Sequence, residues 1–138
     1  MSEILSNDSF LKHYIICALW STNDNSDERG GEPLDSNYDI SDLSQECLAQ
    51  MADDCARFQI HAEELLEHYY ETKKSDGTGF YTLKEAGHDF WLTRNGHGAG
   101  FFDRKEINSY VRDALTELCD DYDEIDLEIG ENKKIHIL

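Results

Sequence analysis

The stretch His88-Asp89-Phe90-Trp91-Leu92-Thr93-Arg94-Asn95-Gly96-His97-Gly98-Ala99-Gly100-Phe101-Phe102-Asp103 decides how the rest of the chain is read. Asn95-Gly96 is a strong hairpin signal, because both central residues of a type I′ turn take positive φ. The flanks then predict strands over 89–94 and 97–102, a signature hairpin within 88–103. Gly98 and Gly100 on the return strand imply a bulge, or another group brought close to the backbone.

Upstream of this stretch, Thr82-Leu83-Lys84-Glu85 matches a capping box and predicts a short helix, with Gly87 as its stop. A polar linker, 73–79, precedes it. Leu43, Cys47, Met51, Cys55, Phe58, Ala62, Leu65 and Tyr69 recur at threes and fours, which predicts one long helix capped by Ser41 and running to Tyr70. Phe10, Tyr14, Cys17 and Ala18 predict another, capped by Asp8 or Ser9 and ending near Ser21. Between these helices lies an acidic loop, 22–38, rich in turn formers and lacking the spacing of a calcium-binding EF-hand.

Downstream, Ile107, Tyr110, Val111, Ala114, Leu115 and Leu118 predict a last helix over 104–120. Ile125, Leu127 and Ile129, then Ile135 and Ile137, alternate with polar residues, which predicts a C-terminal hairpin within 123–138. The expected fold is a single α+β domain spanning 1–138. Two long helices and shorter ones would pack on a small antiparallel sheet made of the two hairpins.

Thirty acidic residues against twelve basic give a net charge of −18. That excess argues against direct nucleic-acid binding, which depends on Lys and Arg neutralising phosphates, and favours a basic protein partner. No apolar run is long enough to span a membrane, and the acidic N-terminus is unlike a signal peptide, so a cytoplasmic protein is expected. Cys17, Cys47, Cys55 and Cys119 show no C-x-x-C spacing and read as reduced core residues. The chain reads as a monomer or homodimer.

The acid is concentrated in two blocks. Residues 24–54 hold ten acids and one base, and 113–131 hold nine acids and no base. The expected contacts with a basic partner are Asp24, Asp27, Glu28, Glu32 and Asp35 in the first block, and Asp120, Asp121, Asp123 and Glu124 in the second. Such blocks would imitate the phosphate row of a nucleic acid.

The alternative is a ligand pocket or enzyme site built on His88, Asp89, Arg94, Asn95, His97 and Asp103, which supply basic, acidic and amide groups within one short run. Strand alternation would point His88 and Asp89 to opposite faces, which weakens them as a dyad. The spacing fits no zinc pattern and no nucleotide-binding glycine loop, and no serine or cysteine nucleophile stands out. A chain without metal, cofactor or catalytic residues is therefore expected. Arg94 would pair with an acid such as Asp89 or Asp35, and the histidines would bond the loop 22–37.

Ala86-Gly-His-Asp-Phe-Trp-Leu-Thr-Arg-Asn-Gly-His-Gly-Ala-Gly-Phe-Phe-Asp103 resembles the A-G-H-D-F-W-L-T-R-N-G-H-G-A-G-F-W-D run of a family of small acidic proteins encoded by tailed bacteriophages. Ala18-Leu-Trp-Ser-Thr-Asn-Asp-Asn, Gly30-Gly-Glu-Pro-Leu-Asp35 and Tyr122-Asp-Glu-Ile-Asp-Leu-Glu-Ile-Gly130 are similar as well. The chain departs from the family at Phe102, where tryptophan is usual, and in the insert 73–81. The resemblance implies a phage accessory protein acting in the host bacterial cytoplasm. It raises the expectation of an inhibitor of a host nucleic-acid-binding or defence protein, with a virion or assembly role as a further alternative.

Overall fold

A computed structural model describes residues 8–24, 31–96, 99–130 and 132–137. The first helix, α1 (Ser9–Ser21), begins where the Asp8 carboxylate accepts the Leu11 N–H at 2.9 Å. Phe10, Leu11, Tyr14, Ile15, Cys17, Ala18 and Leu19 are all buried, so α1 is apolar on nearly every side. A helix of that kind belongs in the middle of a domain.

The predicted acidic loop contains a short antiparallel pair, β1 (Asn23–Asp24) with β2 (Glu32–Pro33), followed by 3₁₀ turns at Leu34–Ser36 and Ile40–Asp42. The long helix is capped by Ser44 rather than Ser41, because Ser41 lies inside the second of those turns. It is also divided. The segment α2 (Gln45–His61) gives way at Ala62 to α3 (Glu63–Tyr70).

The signature is a helix and not a hairpin. α4 (Leu83–Arg94) starts at the expected Thr82–Glu85 capping box and continues through Gly87 to the residue before Asn95-Gly96. Gly87 stops nothing. A Cβ there would collide with the Phe10 carbonyl oxygen, so the glycine lets the α1 and α4 backbones touch. Asn95 is the C-cap and Gly96 follows at φ +65°, so the left-handed residue that a hairpin turn requires serves here to end a helix.

The chain returns through a 3₁₀ turn at Phe101–Asp103, where the Phe101 N–H donates to Thr93 Oγ1. The last helix, α5 (Ser109–Cys119), begins at an Asn108 cap, later than the expected start near 104. The C-terminal hairpin forms from β3 (Leu127–Ile129) and β4 (Ile135–Ile137), with Ile125 lying before the first strand rather than in it. Among the described residues the two strand pairs stay separate two-stranded sheets and do not join into one. The α+β class holds, with helices dominating it.

The core is aromatic. Phe58 from α2 stacks on Phe90 from α4 at 4.2 Å, and Phe10, Tyr14, Phe101 and Tyr122 surround that pair. The C-terminal hairpin is fastened to the helices where the Ser44 N–H donates to the Ile135 carbonyl.

Candidate functional site

Placing residues 83–94 on a helix sends the signature's polar side chains into two separate networks. Asp89 is 1% exposed, and a buried carboxylate must be satisfied by donors. It accepts the Tyr69 hydroxyl at 2.7 Å and two parallel bonds from Arg104, Nε and Nη2, each at 2.9 Å. Burial raises the Tyr69 pKa and the Asp89 charge adds to it, so Tyr69 remains a proton donor. Burial opposes the Arg104 charge, but Asp89 outweighs it and holds the guanidinium protonated.

Arg94 lies in the second network. Its Nη1 donates to Asp54 at 2.7 Å and to the Tyr14 hydroxyl at 3.3 Å, and its Nε donates to the Asp123 carbonyl. Asn95 Oδ1 accepts the Ile125 N–H at 2.8 Å. Both residues therefore fasten the segment after α5 to the core. Neither is among the described residues lining the cavity that His88 and Asp89 share, and Arg94 pairs with Asp54 rather than with Asp89 or Asp35.

Three of the expected pocket residues, His88, Asp89 and Asp103, do line one cavity of about 490 Å³, with Trp20, Ala99 and Arg104. His97 lies outside the described residues. Trp20, in the last turn of α1, is 57% exposed, and its ring lies 6.2 Å from that of His88. His88 Nδ1 is buried without a hydrogen bond, and Asp89 Oδ1 is 3.9 Å away, too far to form a dyad. Ser21 Oγ accepts the Trp91 indole N–H at 2.7 Å. All four thiols are free and buried; burial pushes Cys17 up to about 12 and Cys47 up to about 11, so neither is an activated nucleophile. No cysteine is among the described residues that line this cavity.

The acidic residues behave differently. Asp120, Asp121, Asp123 and Glu124 follow α5 and are all exposed. Among the described residues, no Lys or Arg makes an ion pair with any of them. Glu32 and Asp35 are exposed on β2 and the 3₁₀ turn after it. Asp24 contributes its backbone to β1, while Asp27 and Glu28 lie outside the described residues.

Asp121 also faces an open groove of about 730 Å³ between the α2–α3 break and α5. Glu63, Glu64, Glu117, Ile60 and Tyr110 line that groove, and none of them is among the expected contacts with a basic partner. Tyr110 fits the core spacing of α5 but is 75% exposed. The available signal was Val111, Leu115 and Cys119, which fill the inner stripe and leave Tyr110 beside it.

Among the described residues, no group of three or more His, Cys, Asp or Glu side chains is disposed to hold a metal ion. No helix among them is long and apolar enough to cross a membrane. Compared with family models, curated proteins and solved structures, the chain has no match.

Proposed function

We propose that this chain is an acidic binding protein that engages a basic partner, as a small phage accessory protein acting on a host nucleic-acid-binding or defence protein would. The observation that carries this reading is the exposed run Asp120, Asp121, Asp123 and Glu124, unpaired with any Lys or Arg among the described residues. Carboxylates held for stability take partners, as Asp54 and Asp89 do. Carboxylates left open on a chain of net charge −18 attract cations from a distance and give fast, salt-sensitive association.

The test is capture from nuclease-treated bacterial lysate on the immobilised protein, with elution by salt and by duplex DNA. A nucleic-acid-binding protein that DNA displaces supports the reading. Capture that survives both DNA and replacement of the four carboxylates by lysine would overturn it.

A second reading, small-ligand binding, draws support from the cavity beside Trp20 and the unpartnered His88 Nδ1. Saturation of that cavity by a nucleotide or another aromatic metabolite in a thermal-shift screen would favour it.

A further inference from the structure

The groove between the α2–α3 break and α5 combines charge with exposed apolar surface. Ala62 takes φ −101° and ψ 11°, which ends α2 and lets Ile60 and His61 line one side together with Glu63, Glu64 and Leu65. The other side is a stripe of α5 and the turn after it: Tyr110, Ala114, Leu118 and Asp121, spaced i, i+4, i+8 and i+11, with Glu117 alongside. Ile60 and Tyr110 are the two most exposed large apolar side chains among the described residues, at 71% and 75%. No Lys or Arg is among the described residues lining the groove.

We propose that this groove receives a cationic amphipathic helix of the partner. Its apolar face meets Ile60, Leu65, Tyr110 and Leu118, and its Lys and Arg side chains reach Glu63, Glu64, Glu117 and Asp121. The inference rests on the acidic-binding reading and narrows it to one surface and one ligand chemistry. Charge complementarity selects the occupant. A nucleic acid would set phosphates against four carboxylates. A second copy meeting this face symmetrically would set the same four carboxylates against themselves. A flat polycation would leave Ile60 and Tyr110 in water, whereas an amphipathic helix covers them. The stripe from Tyr110 to Asp121 extends about 16 Å at 1.5 Å per residue, room for about three turns of a partner helix.

The experiment titrates ¹⁵N-labelled protein with a synthetic helical Leu/Lys peptide and, separately, with an oligolysine of equal charge. The Leu/Lys peptide is expected to bind at least tenfold more tightly, with amide shifts centred on residues 60–65 and 110–121. In the Ile60→Ser/Tyr110→Ser variant its affinity falls about tenfold while that of oligolysine holds, and both replaced residues are exposed, so the fold is kept. Equal affinities, or shifts centred elsewhere, would overturn the groove while leaving the acidic-binding reading intact. Binding of neither peptide would overturn both. A dimer in sedimentation that the same variant dissociates would assign the groove to a second copy, and would also overturn the proposal.

Discussion

Arg94 and Asp54 form an ion pair at 2.7 Å with side chains only 3% and 6% exposed, joining the C-terminus of α4 to the middle of α2. Burial alone would lower the Arg94 pKa, but Tyr14 and Asp54 outweigh it, so the guanidinium stays charged inside the domain. Removing one partner leaves an uncompensated buried charge, which costs about 3–5 kcal/mol. Asp54→Ala is expected to lose that much stability in urea denaturation. The double variant Asp54→Leu/Arg94→Met should lose clearly less than the sum of its single changes.

Gly87 marks the point where α1 and α4 touch. An added Cβ would meet the Phe10 carbonyl and stand 3.1 Å from the Tyr14 nitrogen, both backbone atoms that cannot rotate away. Gly87→Ala should destabilise the protein by at least about 1–3 kcal/mol, although alanine is the better helix former. Thermal unfolding measures it, and an unchanged Tm would show that the helices can move apart at no cost.

The capping box gives a prediction in pH. Burial would raise the Glu85 pKa, but the Lys74 ammonium, the Thr82 hydroxyl and nearby backbone N–H groups outweigh it and hold the carboxyl down to about 2. A carboxylate depressed in the folded state contributes stability above its unfolded pKa and loses it as pH falls through the folded value. The stability gap between wild type and Glu85→Gln should therefore be full above pH 4.5, the ordinary value, and close as pH falls towards about 2. Urea midpoints at successive pH values would show it, and a gap independent of pH would exclude Glu85 as the source.

Replacing Asp120, Asp121, Asp123 and Glu124 together by lysine should abolish partner capture and leave the fold intact. All four side chains are exposed, and Arg94 uses only the backbone carbonyl of Asp123. Circular dichroism checks the fold and the capture assay checks the function. Undiminished capture would remove this turn from the binding surface.

His88→Ala and Trp20→Ala probe the cavity. If the protein acts through its acidic surface, both variants should bind the partner as wild type does. Loss of function in either, with Tm unchanged, would transfer the activity to the cavity beside α1.

Much of the fold was legible because local chemistry fixed it. The Asp8 cap, the apolar run of α1, the Thr82–Glu85 box and the alternation of Leu127, Ile129, Ile135 and Ile137 each depend on near neighbours, and each forms as read. The signature misled because α4 buries Ala86, Gly87, Asp89, Phe90, Trp91, Leu92 and Arg94. A segment covered on nearly all sides has no polar face to mark its period, and Asn-Gly supplies a left-handed residue to a helix end as readily as to a hairpin.

By itself the sequence determined the net charge, its two acidic blocks and the α+β class, since these depend on composition and short-range pattern. Tertiary structure decided which charges are free. Asp54 lies in the first acidic block but is spent on Arg94, and Asp89 is spent on Arg104, because a buried charge must find its partner wherever the fold brings one. Only that packing leaves Glu63, Glu64, Glu117 and Asp121 open together beside Ile60 and Tyr110, residues of three helices and a turn whose sequence positions gave no sign that they would meet.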